Sequence, residues 1–197
     1  MIADIVVYDG TDEIDVFGPV EVLRSAAELG GDITARIVTR TAQDFVTSAY
    51  GIRFQPDGVL GDQPSDVLIV TGGSWLTRAP VGAWGEVQRG ELLTALAAAS
   101  AQTRITASVC TGTMLLAHAG LIGNRRAVTH HTAWEELSAT GAQLVPERVV
   151  DDGDLVTAGG VTSGIDLALW LVQRELGEAL AQQVADRMEY ARFVPGR

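Results

Sequence analysis

A single thiol occupies a position suited to covalent chemistry. The segment Ser108-Val109-Cys110-Thr111-Gly112 joins a strand-like run at 104–108 to a helical pattern at 111–119. A tight strand-to-helix turn of this kind lifts a nucleophile above the sheet, and Gly112 permits the close backbone approach such a turn requires. The free amides and positive end of the following helix lower a thiol pKa, so Cys110 is expected to be rich in thiolate, the attacking form. Against this stands the ordinary fate of a free cysteine, which is to be buried and inert. Cys110 is the chain's sole cysteine, so no disulfide forms within it.

Two other places carry groups that chemistry at Cys110 would need. Gly72-Gly73 follows the apolar run 67–70, and its amides, with that of Thr111, suit an oxyanion hole; a glycine turn without function is the alternative. Asp15 lies near the start of the first helix, where a carboxyl group either gives and takes protons beside the thiol or simply favours the helix N-terminus by a few tenths to about 1 kcal/mol. His130-His131 resembles a metal pair. Neighbours on an extended segment face opposite ways, however, and no third ligand stands at a zinc-type spacing. No metal is expected, and His130 is read as a structural hydrogen-bonding residue, with a role near the site as the alternative. His118 is assigned to packing or surface, and Trp84, Trp134 and Trp170 to core or interface. Trp75, just after the glycine pair, is a candidate wall of a substrate pocket.

The elements that must position these groups follow an alternating pattern. Residues 2–8 are rich in β-branched side chains and end at Asp9-Gly10, a strand running into a turn. Val16, Val20, Leu23 and Ala27 recur at helical spacing before Gly30-Gly31. Strands are predicted at 35–39 and 67–70, with a short strand or hairpin at 51–54. An Ala/Leu helix follows over about 86–101, then the strand 104–108, the helix 111–119 and a helix over 132–140. Strands at 148–150 and 155–157 flank Asp151-Asp152-Gly153. A core helix at 165–176 and an amphipathic helix at 178–190 precede a short polar end at 192–197. This alternation predicts one α/β domain over 1–197, with a mostly parallel sheet covered on both faces. In such sheets ligands bind beyond the carboxyl ends of the strands, where Cys110, Gly72-Gly73 and Asp15 all fall.

Composition narrows the function. The chain has 197 residues, 47% hydrophobic and 20% charged, long enough for one core without disulfide or metal support. Its net charge is -11, and all 14 basic side chains are arginine with no cluster denser than Arg125-Arg126. Nucleic acid and anionic membrane are therefore not expected partners. No apolar run approaches the roughly 18 residues of a membrane span. The opening Met1-Ile2-Ala3-Asp4 has no signal-peptide pattern, so a cytoplasmic location is expected.

Asp15 with Gly18-Pro19, Gly72-Gly73, the Cys110 elbow, Thr129-His130 and the run Gly159-Gly160-Val161-Thr162-Ser163-Gly164-Ile165-Asp166 together resemble the ThiJ/PfpI superfamily over nearly the whole chain. The resemblance implies a flavodoxin-like three-layer α/β sandwich, commonly dimeric, with a cysteine nucleophile elbow. Aspartate at 15 and threonine at 111 resemble the isonitrile hydratase-like branch; a Cys-His pair typical of the superfamily's proteases is missing, which counts against peptidase activity. On that likeness Cys110 is the nucleophile, Asp15 the general acid/base and Thr111 a supporting neighbour. Gly72, Gly73, Trp75 and Val161 then form the oxyanion or substrate-binding surface. The implied reaction converts a small isonitrile to an N-substituted formamide without cofactor or metal. A redox-sensing stress-response domain and a glyoxalase acting on methylglyoxal are the alternatives. A transcription regulator is the weakest reading, because little chain follows the last helix and the charge has the wrong sign.

Overall fold

The computed structural model describes residues 1–196. From the N-terminus, β1 (Ile2–Val6) leads through Asp9-Gly10 into α1 (Glu13–Glu28) and then β2 (Thr34–Thr39). An antiparallel hairpin of β3 (Val46–Thr47) and β4 (Arg53–Phe54) and a short β5 (Gly58–Val59) come before β6 (Val67–Val70). Next are α2 (Ala83–Arg89), α3 (Glu91–Ser100), β7 (Ile105–Val109) and α4 (Gly112–His118). The last third holds β8 (Arg126–Ala127), a 3-10 turn His131–Ala133, α5 (Trp134–Ala139), β9 (Gln143–Leu144), β10 (Val149–Asp151) and β11 (Leu155–Ala158), closed by α6 (Ser163–Leu176) and α7 (Glu178–Arg187).

Seven strands form the central sheet in the order β10-β11-β7-β6-β1-β2-β5. Every pairing is parallel except β10 with β11. Strands buried on both faces favour apolar side chains, as in β6; β7 is buried throughout as well, and its two polar side chains, Thr106 and Ser108, pair their hydroxyls with Ser100 and Thr113. Alternate residues divide between the faces. Ile5, Ile69 and Ala107 pack beneath α1, α6 and α7, whereas Val6, Leu68 and Val70 pack beneath α3 and α4. The result is a three-layer α/β sandwich.

Two expectations are corrected. The helix expected over 86–101 is two helices, since Gly90 adopts a left-handed conformation (φ 77°) that ends α2 and begins α3. The tail from 192 is not merely a polar end: Phe193 packs on the core and its amide donates to Asp166 Oδ1 at 3.3 Å. Position 197 lies outside the described residues.

The strand order determines where a site can form. The chain leaves β1 toward β2 on one side and returns to β6 on the other, so a crevice opens beyond the carboxyl ends of β1 and β6. With β7 adjoining β6, the three loops that follow β1, β6 and β7 converge there. They carry Asp12, Gly72-Gly73 and Cys110, and the first turn of α1 brings Asp15 beside them.

Candidate active site

Cys110 directly follows β7 and has φ +56°, a left-handed backbone rare for a residue with a side chain. Its amide donates to Ala158 O and Gly159 O, both at 3.0 Å, and its carbonyl accepts from the Thr129 hydroxyl at 2.9 Å. Gly112 is required by space: a Cβ there would lie 2.1 Å from the Val70 carbonyl oxygen. The elbow expected at Cys110 is present, and the thiol is 6% exposed.

Asp15 is not the helix cap. That role belongs to Asp12, whose Oδ1 accepts from the Ile14 amide at 3.0 Å. The Asp15 carboxyl is wholly buried, with Oδ2 accepting from the Gly72 amide at 3.1 Å and Oδ1 lacking a hydrogen-bond partner. A buried polar atom without a partner is costly, and a catalytic role is one explanation for its being kept. The Cys110 thiol lies against this carboxyl and interacts with it.

The two glycine amides are placed otherwise than a simple oxyanion hole needs. The Gly72 N–H serves Asp15, and the Gly73 N–H donates to Thr111 Oγ1 at 3.0 Å. Both are therefore committed to holding side chains. The Thr111 amide is the one directed at the sulfur.

The electrostatics also correct an expectation. Burial pushes the Cys110 thiol well above its usual range, and the Asp15 carboxyl raises it further, against a smaller lowering by the Thr111 amide. Desolvation outweighs the N-terminus of the short α4, so Cys110 rests as a thiol rather than a thiolate. Burial likewise holds Asp15 well above the ordinary carboxylate range, aided by the charge on Asp12 and opposed by the Gly72 amide and Cys110. Both groups keep protons more tightly than in water.

Above the thiol lies a cavity of about 390 Å³ whose lining includes Cys110, Thr111, Gly73, Trp75, His130 and Val161. Asp15 and Gly72 sit behind its floor. Trp75 is buried edge-on to Trp84 and donates from Nε1 to Glu136 at 3.3 Å. Arg78 lies over both tryptophan rings and donates to the same Glu136 oxygen at 2.7 Å, tying this wall to α5. His118 packs against Trp75. Trp134 and Trp170 hydrogen-bond to Thr129 O and Asp151.

His130 makes the structural hydrogen bonds expected of it, Nδ1 meeting the Thr132 hydroxyl at 2.8 Å and amide at 3.3 Å. It also faces the cavity, and Gly160 is what makes room, since a Cβ there would approach the ring to 2.0 Å. The His130 and His131 rings stack 4.3 Å apart instead of facing opposite ways, because the chain turns into the 3-10 helix at this point. Among the described residues no three His, Cys, Asp or Glu side chains gather as a metal-binding group. Among the described residues no helix is long and apolar enough to cross a membrane.

Sequence reasoning missed Asp12, Tyr50 and Glu136. Asp12 carried a signal, an acidic residue directly before a helical pattern. Tyr50, which lines the cavity, and Glu136, which holds the Trp75 wall, reach the site through tertiary packing and carried none.

A family model described as DJ-1/PfpI matches residues 2–174. Isonitrile hydratase of Pseudomonas putida is 37% identical over 189 residues, covering 95% of this chain and 78% of that protein. The HTH-type transcriptional regulator GbdR of Pseudomonas aeruginosa is 31% identical over 188 residues, 91% of this chain but 48% of the regulator. Among solved structures, a THiJ/PfpI family protein from Pseudomonas syringae superposes with a TM-score of 0.86 at 27% identity, covering 98% of this chain and 76% of that one. Drosophila melanogaster DJ-1beta shares the fold, with a TM-score of 0.81 at 20% identity over 96% of this chain and 98% of that one.

Proposed function

The chain belongs to the DJ-1/PfpI family, and from that premise we propose that it is an isonitrile hydratase, converting a small isonitrile to an N-substituted formamide by covalent catalysis at Cys110. The observation that carries this reading is the buried Asp15 carboxyl, held by the Gly72 amide, with its free oxygen and the Cys110 thiol together at the elbow.

The chemistry follows from those two groups. An isonitrile bound over Cys110 presents its terminal carbon to the sulfur. As the C–S bond forms, the thiol proton passes to Asp15 and is delivered to the same carbon, giving a thioimidate. Water then adds to that carbon with Asp15 as base and one of its protons goes to nitrogen; as the carbonyl forms, the C–S bond breaks and the remaining hydroxyl proton passes through Asp15 to sulfur, restoring the thiol. Asp15 is thus acid and base in turn, a duty suited to a carboxyl whose pKa burial raises above the ordinary carboxylate range. Thr111 positions the Gly73 loop, while Trp75 and Val161 receive the substituent.

A redox-sensing role is less well supported, because oxidation susceptibility follows thiolate character and exposure, and Cys110 has little of either. We read the enzyme as cytoplasmic and homodimeric. Exposed apolar side chains at Ile14, Phe17, Phe45 and Ile52 support a self-association surface, and sedimentation velocity at micromolar protein should give a dimer mass. The deciding experiment is formamide production from phenyl isocyanide by wild type, Cys110→Ala and Asp15→Asn. Turnover by wild type that both variants lose is the expected result. Absence of formamide from folded wild type refutes the hydratase reading and favours methylglyoxal as the next substrate to assay.

A further inference from the structure

The cavity over Cys110 has a charge of one sign and nothing to balance it. Asp12 lines it, half-buried, and is fixed there by two contacts: its Oδ1 accepts from the Ile14 amide at 3.0 Å, and its own amide donates to Gly72 O at 2.9 Å. The chain's basic side chains are all arginine, and among the described residues none of them lines this cavity. Arg78, behind Trp75, is occupied by Glu136 and the two tryptophan rings. His130 does line it, but its Nδ1 accepts from the Thr132 amide, and burial with the neighbouring His131 holds the ring below its usual pKa, so it supplies no cation at neutral pH. Behind the floor stands a second carboxyl, Asp15.

We infer that Asp12 makes the cavity selective by charge, admitting neutral or cationic substrates and turning away those that carry a carboxylate or other anionic group. The field of a fixed charge is concentrated in a cleft with low-dielectric walls, where counter-ions screen it less than on an open surface. The reach of Asp12 is visible in its neighbours, since its charge contributes to the raised pKa values of Tyr8, Asp15 and Cys110. This inference deepens the proposed function and rests on Cys110 as the nucleophile below the cavity, but its test does not depend on hydration of isonitriles.

The test compares alkylation of the sole thiol by iodoacetamide, which is neutral, and iodoacetate, which is anionic, at about pH 8.5 and low salt, with mass spectrometry as the readout. The reference is the rate ratio of a small neutral thiol under the same conditions. Wild type should prefer iodoacetamide over that reference by at least about threefold, and by up to about a hundredfold, the range a unit charge about 6 Å away produces between water-like and protein-like screening. Asp12→Asn, which keeps the helix cap, should bring the ratio back toward the reference. Asp62→Asn, an exposed charge outside the cavity, should leave the wild-type ratio in place. A ratio that does not respond to Asp12→Asn overturns the inference, as does a thiol that neither reagent reaches. Discrimination that depends on Asp12 in a protein making no formamide sustains the charge filter while refuting the hydratase. If both stand, kcat/KM for phenyl isocyanide should exceed that for 4-isocyanobenzoate, and Asp12→Asn should narrow the difference.

Discussion

Substituting Gly72→Ala tests whether the glycine loop is a fitted part of the elbow. A Cβ at Gly72 would lie 2.5 Å from the Thr111 nitrogen, 2.6 Å from its Oγ1 and 2.9 Å from the Gly112 nitrogen. Two of these atoms are backbone, so no rotamer change relieves the contact. Restoring an ordinary separation of about 3.4 Å lifts the loop by about 0.9 Å. That movement strains two buried hydrogen bonds, Gly72 to Asp15 and Gly73 to Thr111. At about 1 kcal/mol for each bond, and as much again for the groups left unpaired, stability should fall by about 2–4 kcal/mol. For a chain of this size that lowers Tm by about 5–15 °C. Misplacement of the reacting groups by about 1 Å should reduce kcat/KM by about a hundredfold. The assays are a thermal melt followed by circular dichroism and formamide production on the folded fraction. Gly58→Ala is the control, since nothing lies within 4 Å of a Cβ there. A Gly72→Ala protein with wild-type Tm and turnover would refute the reasoning, because the loop would then not rest on the elbow as described.

Asp15→Asn should lower turnover by about 10²- to 10⁴-fold, the usual worth of a general acid/base. It should also stabilise the protein at neutral pH. The folded pKa of Asp15 is raised, so the stability it confers is complete below its unfolded value and is lost as pH climbs from there toward the folded value. Urea melts at intervals from about pH 4 to pH 7 should therefore show the variant's advantage growing with pH, and a constant difference would contradict the burial argument. Because the thiol is likewise raised, iodoacetamide should modify Cys110 more slowly than a free cysteine at neutral pH, with the rate still rising above pH 9, near the ordinary thiol value. Fast alkylation at mildly acidic pH would mean that a thiolate rests at the elbow after all. Thr111→Val removes the acceptor of the Gly73 amide and should cost about 1–3 kcal/mol with a roughly tenfold loss of kcat/KM. Thr111→Ser should restore both, and failure of that rescue would show that the methyl group, not the hydroxyl, matters.

The sheet was legible because its strands are buried on both faces and read as continuous β-branched runs: 67–70 was recovered to the residue. The two-residue strands of the hairpin and of the β8–β9 ladder are too short to carry a period and were mostly invisible. Gly90 did carry a signal, an arginine before it and a glutamate after, but the surrounding Ala/Leu pattern outweighed it. The positions of Cys110, Asp15 and Gly72-Gly73 were readable because each follows a strand or opens a helix. Their electrostatics were not. Dipole reasoning considers the helix after Cys110, whereas the thiol's state is governed by burial and by a carboxyl 95 residues away in sequence. In the same way, exposed amides were inferred from two glycines with no means of seeing that Asp15 and Thr111 would take them.

The left-handed backbone at Cys110 sets the residue against its own conformational preference. An L-residue with a Cβ gives up about 1–2 kcal/mol there, a cost glycine avoids. Cys110→Gly would relieve that strain but forfeit the burial of the sulfur in the core and add the backbone entropy of glycine, so the two effects oppose each other. The elbow is therefore imposed by its neighbours, through the hydrogen bonds of the Cys110 amide and carbonyl, rather than chosen by the residue that occupies it.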